Sequence, residues 1–183
     1  MCFYLDKSGK TITFYDIKSN VFEVLSVTLV QMKYLILENI RSAHNVGAMF
    51  RTADGAGVDK IFLVGYTPTP IDRFGRPQSE IVKTSLGACD EIEWEQVSSS
   101  VEVIKNLQSK GFTVVAVEQN KRSTSLKEFT VPEKIAYIMG NEVTGVDEET
   151  IAVCDVVVDL PMLGIKESLN VSTAAGIVMY HDL

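Results

Sequence analysis

The segment LPMLGIKESLNVS, residues 160–172, is the most informative stretch of this 183-residue chain. It follows one apolar run and precedes a second, residues 173–180. Pro161 stiffens the exit from a strand, and Gly164 allows the chain to turn back. The side chains of Ser168 and Asn170 suit the start of a helix, where several backbone N–H groups lack a helical acceptor. The pattern therefore predicts a strand, a loop that presents polar groups to a ligand, and a closing helix.

Upstream of this segment, short β-rich runs alternate with helical patterns. The predicted strands are residues 34–38, 61–65, 92–94, 113–117, 135–139 and 156–160, and the predicted helices are residues 45–57, 101–109, 148–153 and 169–180. This alternation, with nearly continuous valine and isoleucine runs, indicates an α/β fold: a mainly parallel sheet with helices on both faces. Residues 66–78, rich in glycine and proline, form a long irregular segment of the functional or mobile kind.

The first 31 residues do not share this alternation. Residues 10–15 and 21–30 instead predict a β-hairpin or strand pair. We interpret residues 1–31 as a short N-terminal extension or the product of an upstream start, dispensable for the core. Residues 32–183 then form the single main domain.

Composition limits the function. No apolar run reaches the roughly 18 residues of a membrane helix, and no secretory signal is evident, so we expect a cytoplasmic protein. Three scattered cysteines and two histidines suggest neither disulfides nor a metal site. The net charge of −7 argues against a broad basic surface. Because the acidic excess concentrates in residues 90–95 and 147–149, a local cationic cluster could still bind phosphates.

A second polar segment, residues 39–54, joins a strand to a helix. Asn45 can form hydrogen bonds at the helix start, Gly47 permits close approach, and Arg51 lies on the same helical face as Gly47. This face is expected to be open and cationic, and the arginine fork suits a phosphate. Taken alone, the segment favours a simpler interpretation, a helix capped by Asn45 with a solvated arginine.

A third polar segment, GNEVTG at residues 140–145, follows the strand predicted at 135–139. Its glycines fall where the chain leaves the sheet and can lie against a ligand. Read in isolation, it is a plain turn. In the 160–172 segment, Leu160, Met162 and Leu169 could form apolar pocket walls, while Ser168 and Asn170 could simply cap the helix.

The three segments, in this order, resemble the signature motifs of the SpoU (TrmH) family of RNA ribose 2'-O-methyltransferases, in the SPOUT superfamily. The resemblance extends from residue 32 to the end of the chain. It implies S-adenosylmethionine as cofactor, no metal, and a catalytic centre of Asn45, Arg51, Glu142, Ser168 and Asn170. The implied cofactor-binding residues are Glu118, Gly140, Leu160, Met162, Ser168 and Leu169. It also implies a C-terminal trefoil knot and a homodimer, with the helix at residues 171–180 supplying part of the interface.

RNA binding is expected at Arg41, Arg73, Arg76 and Lys83. The segment KTSLGA, residues 83–88, resembles one in family members that act on tRNA, which favours tRNA over rRNA as substrate; a solvated loop is the alternative. Arg51 is expected to act electrostatically, because a guanidinium is a poor base at neutral pH. Deprotonation could still fall to a perturbed Arg51, an RNA phosphate or water.

Two other functions compete with this interpretation. The first is a noncatalytic RNA-binding or S-adenosylmethionine-sensing module on the same scaffold, which would be expected to lack Arg51, Glu142 or Asn170. The second is a Rossmann oxidoreductase, which would carry G-x-G-x-x-G after its first strand. Gly55 and Gly57 end a helix and lack a third glycine.

Overall fold

A computed structural model describes residues 2–5, 11–15, 26–28, 31–181 and 183, which fall in two compact units, residues 1–31 and 32–183. In the first unit, β1 (Cys2–Leu5), β2 (Thr11–Tyr15) and β3 (Ser26–Thr28) form an antiparallel sheet in that order. The predicted strand pair is confirmed where β2 meets β3. Residues 10, 21–25 and 29–30 of that prediction lie outside the described residues.

The second unit contains a parallel sheet of seven strands, as the sequence predicts. Its order is β6-β5-β4-β9-β7-β10-β8, and every neighbouring pair is parallel. The strands are β4 (Met32–Glu38), β5 (Lys60–Val64), β6 (Glu93–Val97), β7 (Thr113–Val117), β8 (Thr124–Ser125), β9 (Lys134–Met139) and β10 (Val156–Asp159). The six predicted strands are confirmed to within a few residues at each end; the two-residue β8 was not predicted.

In the described residues, six α-helices cover this sheet: α1 (Ala43–Gly55), α2 (Ser79–Ser85), α3 (Ala88–Glu91), α4 (Ser100–Ser109), α5 (Glu148–Val153) and α6 (Val171–Met179). Buried side chains of α1, α2, α3 and α6 belong to one apolar cluster, and those of α4 and α5 to a second. Strand residues alternate between the clusters, with Leu35 and Leu37 in the first and Ile36 in the second. The prediction of helices on both faces is confirmed.

The alternative reading of residues 83–88 as a solvated loop is wrong. Lys83 lies in the last turn of α2, and Ala88 begins α3. Leu86 and Gly87 separate the two helices with φ of 51° and 94°. Neither helix exceeds two turns, so neither gives a strong periodic signal in the sequence.

A buried lysine ties the start of the sheet to the end of α6. Lys33 is 2% exposed, and its Nζ donates a hydrogen bond to the carbonyl oxygen of Met179 at 2.8 Å. The last carbonyls of a helix lack helical donors and carry partial negative charge. Lys33 therefore stabilises the C-terminal end of α6 and fixes the helix against the sheet.

The face of α1 that carries Gly47 is covered, which corrects the expectation that it is open. A Cβ atom at Gly47 would collide with the Thr84 hydroxyl and the Ile81 carbonyl of α2. Gly47 therefore permits close packing of two helices rather than the approach of a ligand.

We predict that Gly47→Ala lowers the free energy of unfolding by roughly 1–3 kcal/mol, because the added methyl meets backbone on α2. Gly176→Ala is the matched control within α6. The nearest atom to its Cβ would be Thr52 Cγ2 at 3.5 Å, an ordinary contact, so helix propensity should raise stability by up to about 1 kcal/mol. Urea unfolding measures both. Equal effects of the two substitutions would contradict the packing role of Gly47.

We also predict that a protein beginning at Met32 folds cooperatively, because residues 32–183 contain both apolar clusters. Thermal unfolding followed by circular dichroism tests this. A single sharp transition near that of the full chain is expected, whereas absence of a cooperative transition would show that residues 1–31 are required.

Candidate active site

The carboxyl ends of the central strands meet at one edge of the sheet, where parallel α/β folds bind ligands. A cavity of about 490 Å³ lies at this edge, a volume typical of small-molecule sites. Loops that follow β7, β9 and β10 line it. Eight residues predicted from the sequence are among the lining: Glu118, Gly140, Glu142, Leu160, Met162, Ser168, Leu169 and Asn170.

Glu142 binds the N-terminal end of α1. Its Oε2 accepts a hydrogen bond from Arg41 N at 2.9 Å. Its Oε1 accepts one from Ser42 N at 3.1 Å and one from Asn45 Nδ2 at 2.9 Å. One carboxylate on the loop after β9 thus holds the start of a helix that lies some 100 residues earlier in the chain.

Asn45 continues this connection to the segment at residues 160–172. While its Nδ2 donates to Glu142, its Oδ1 accepts a hydrogen bond from Asn170 Nδ2 at 3.2 Å. Asn170 Oδ1 in turn accepts from the backbone N of Ser172 at 2.9 Å, which makes Asn170 the N-cap of α6. We call the series Glu142–Asn45–Asn170 the amide chain. It links all three polar segments at the cavity.

The sequence predicted an N-cap residue for α1 and for α6, and the structure contradicts the first prediction and confirms the second. The N-cap of α1 is Ser42, whose hydroxyl accepts from Asn45 N, so the reading of Asn45 as the cap is wrong. The prediction that Asn170 could cap its helix is confirmed, and Asn170 lines the cavity as well.

The charge of Glu142 is stabilised by these contacts. Partial burial would raise the pKa of the Glu142 carboxyl, but hydrogen bonds from Arg41, Asn45 and Ser42 outweigh it and hold the pKa below its ordinary value. Glu142 is therefore a carboxylate at neutral pH and can only accept hydrogen bonds. This favours a positioning role over that of a proton donor.

The loop after β9 is shaped by two glycines and Glu118. A Cβ atom at Gly140 would collide with the backbone of Gly145 and Val146. Gly145 has a φ of 74°, and Glu118 Oε2 accepts a hydrogen bond from Val146 N at 3.0 Å. Glu118 therefore supports the cavity wall by fixing the neighbouring loop.

Asn141 is a structural centre of the site that the sequence analysis did not single out. Its side chain is 7% exposed and donates to Asn39 O at 2.9 Å and to the Tyr66 hydroxyl at 2.8 Å. Its Oδ1 accepts from Val143 N and Thr144 N. In the sequence, its position between a strand and Glu142 was the feature that could have indicated this role, since an asparagine at a turn can hydrogen-bond the backbone a few residues later.

The loop at residues 160–170 is open. Leu163 and Ile165 are essentially fully exposed, and Gln119 Nε2 donates to Glu167 O at 2.8 Å, joining this loop to the end of β7. Among the described residues, no backbone N–H of residues 162–169 donates a hydrogen bond. Other lining residues that were not predicted are Val117, Gln119, Met139, Asn141, Val143, Gly145, Asp159, Glu167, Val171 and Ala174.

Arg51 is the predicted site residue that lies apart. It is exposed and does not line the cavity, and its side chain makes no hydrogen bond or ion pair with any described residue. Six residues of α-helix separate it from Asn45, which corresponds to about 9 Å along the axis and about 240° of rotation. The two side chains therefore point in different directions from α1.

The predicted RNA-binding residues occupy three places at the surface. Arg41 lies beside Glu142 at the start of α1. Arg73 and Arg76 lie in the loop between β5 and α2, and Lys83 lies on α2. All four are exposed.

The described part of the chain lacks metal-binding clusters and membrane-spanning helices. There, no group of three or more histidine, cysteine, aspartate or glutamate residues is arranged to bind a metal. No helix among the same residues is long and apolar enough to span a membrane. Cys89 and Cys154 are free thiols, and burial, with help from Asp155 and Glu38, raises the pKa of Cys154 to about 12. Cys154 is therefore an inert thiol.

Comparison with known proteins identifies the family. The sequence matches the SpoU rRNA Methylase family over residues 32–180, and the chain belongs to this family. It is 29% identical over 176 residues to the 23S rRNA (guanosine-2'-O-)-methyltransferase RlmB of Neisseria meningitidis. That match covers 96% of this chain and 65% of the Neisseria protein. The chain thus spans less than two thirds of that relative's length.

Solved structures agree with this assignment. An AdoMet-bound rRNA methyltransferase from Sinorhizobium meliloti superposes with a TM-score of 0.73 at 27% identity, over 82% of this chain and 55% of that one. The A. aeolicus TrmH/SpoU tRNA modifying enzyme superposes with a TM-score of 0.72 at 26% identity, over 84% of this chain and 76% of that one. The membership predicted from the three motifs is confirmed, and the Rossmann oxidoreductase alternative is wrong.

We predict that Glu142 makes the free energy of unfolding depend on pH. Because its folded pKa is lowered, its contribution is fully present above the unfolded pKa of about 4.3 and is lost as pH falls through the folded value. The stability difference between the wild type and Glu142→Gln should therefore shrink as pH falls from neutrality through this range. Urea unfolding at a series of pH values measures it.

Glu133→Gln is the matched control, since the exposed Glu133 side chain makes no hydrogen bond with the described residues. A difference at Glu142 that stays constant with pH would contradict the stabilised carboxylate.

Proposed function

We propose that this protein transfers the methyl group of S-adenosylmethionine to a ribose 2'-hydroxyl in structured RNA. The observation that carries the proposal is the amide chain, in which Asn45 is hydrogen-bonded to Glu142 and Asn170, two residues that line one cavity. Family membership supports the same activity. A noncatalytic module would have no need of this arrangement.

The cavity fits the proposed cofactor. Leu160, Met162 and Leu169 offer apolar walls for an adenine ring. The free N–H groups of residues 162–169 can donate to its ring nitrogens. When bound, the cofactor supplies an electrophilic sulfonium methyl group. Gly140 would let the backbone approach it closely, as Gly140 already does toward Gly145.

The chain's own residues would orient the ribose. Asn170 and the exposed Ser168 lie at the cavity, within reach of a nucleotide. Glu142, held to the start of α1, would act as a positioning residue that fixes Asn45. Such fixed donors and acceptors reduce the entropy lost in aligning the 2'-oxygen with the methyl group.

Arg51 would provide positive charge for the RNA phosphate and for the developing 2'-oxyanion. The guanidinium keeps its proton at neutral pH, so its contribution is electrostatic. Because Arg51 lies outside its own chain's cavity, we propose that the active site is completed by a second subunit. The exposed apolar residues Leu163, Ile165, Ile177 and Tyr180, on and beside α6, support a homodimer interface there.

The C-terminal trefoil knot also remains a proposal. It is supported by family membership and by the cavity, to which the loop at residues 160–170 and the loop after β9 both contribute lining residues. We propose tRNA as the substrate, on the resemblance of residues 83–88, and the cytoplasm as the location. Ribosomal RNA is the alternative that the Neisseria relative favours.

We predict that the full-length protein transfers labelled methyl from S-adenosylmethionine to unmodified tRNA, with nuclease mapping placing the label on a ribose. Arg51→Ala should lower the rate by about 100-fold or more, as expected for loss of one charge-stabilising donor. Lys105→Ala, which removes an exposed cation on α4 at the other face of the sheet, should leave the rate unchanged.

Transfer to ribosomal RNA alone would replace the tRNA assignment. Cofactor binding without transfer to either RNA would favour the noncatalytic module. An equal loss in the two variants would mean that Arg51 acts only through general surface charge.

A further inference from the structure

Phe74 presents an aromatic ring to solvent between two arginines. It is 67% exposed at the tip of the loop between β5 and α2. The guanidinium carbons of Arg73 and Arg76 lie 4.8 Å and 5.0 Å from the ring centroid. An exposed aromatic ring flanked by cations is the combination that binds unpaired nucleotides, since the ring stacks on a base and the cations contact phosphates.

The loop is held in one conformation by Asp72. Asp72 Oδ1 accepts from Phe74 N at 2.8 Å and from Arg76 N at 2.9 Å, and Oδ2 accepts from Arg76 Nε at 2.8 Å. Ile71 and Pro77 form a β-bridge at the base of the turn. The ring is therefore presented by a preorganised turn, which reduces the ordering cost of binding.

The base of this loop contacts the candidate active site. The Tyr66 hydroxyl accepts a hydrogen bond from Asn141 Nδ2, and Thr67 Oγ1 accepts one from Ile40 N at 3.0 Å. Tyr66 and Thr67 thus join the loop to the segments that carry Glu142 and Asn45.

We propose that Phe74 is a stacking platform for an unpaired nucleotide of the RNA, outside the nucleotide that is methylated. Arg73, which has no ion pair among the described residues, contacts a neighbouring phosphate, whereas Arg76 stays paired with Asp72 at 2.8 Å. This inference rests on the proposed function, because it takes RNA as the ligand. It adds a recognition element that reads single-stranded character rather than base identity.

Fluorescence anisotropy of the full-length protein with labelled unmodified tRNA, and with a fully paired RNA duplex, tests the platform. Phe74→Leu should weaken tRNA binding by about 5- to 150-fold, while Phe74→Trp, which keeps a stacking surface, retains it. Duplex binding should change little in either variant. Because the side chain is exposed, unchanged thermal midpoints are expected and confirm that both variants fold.

Arg73→Gln should reduce the slope of log affinity against log salt by about 1, and Arg76→Gln by less. Wild-type tRNA affinity in Phe74→Leu, equal losses in Leu and Trp variants, or an unchanged slope in Arg73→Gln would overturn the proposal. The proposed function fails separately: a wild type that binds tRNA through Phe74 but transfers no methyl group would keep the platform and remove the methyltransferase assignment.

Discussion

The arrangement of the site depends on the hydrogen bonds that Glu142 makes to the start of α1. The carboxylate satisfies two backbone N–H groups that have no helical acceptor and also fixes the amide of Asn45. Because Asn45 accepts from Asn170, the orientation of one residue determines that of the next. Segments that lie about 100 residues apart in the sequence are therefore held in one fixed arrangement.

The sequence predicted the sheet because its signals were local, whereas the eight predicted residues that line the cavity came mainly from the resemblance of the three motifs to the family. Apolar runs such as residues 113–117 mark buried strands, and polar residues at strand ends mark the edge where loops converge. The strand order, in contrast, could not be predicted from local signals. β4 pairs with β9, which lies about 100 residues later, and no periodic pattern in the sequence indicates that pairing. The short helices α2 and α3 were not predicted for a related reason. Their buried apolar residues, such as Ile81 and Cys89, are too few to form a periodic pattern in the sequence.

Gly47 and Arg51 show how residue type alone can mislead. The two share a helical face by spacing, yet α2 covers the glycine while the arginine stays in solvent. Their separate environments follow from tertiary packing, which spacing does not encode. Asn141 gives the opposite lesson. In the sequence it looks like an ordinary turn residue. In the fold it connects the segments at residues 39–54 and 140–145 to the loop that presents Phe74.

A double-mutant cycle between Glu142 and Asn170 tests the amide chain most directly. Among the described residues, these two side chains share no direct hydrogen bond, and Asn45 is hydrogen-bonded to both. Urea unfolding of Glu142→Ala, Asn170→Ala and the double variant should show a coupling of about 0.5 kcal/mol or more, and Asn45→Ala should abolish it. Additive effects within about 0.3 kcal/mol, or a coupling that persists without Asn45, would contradict the account.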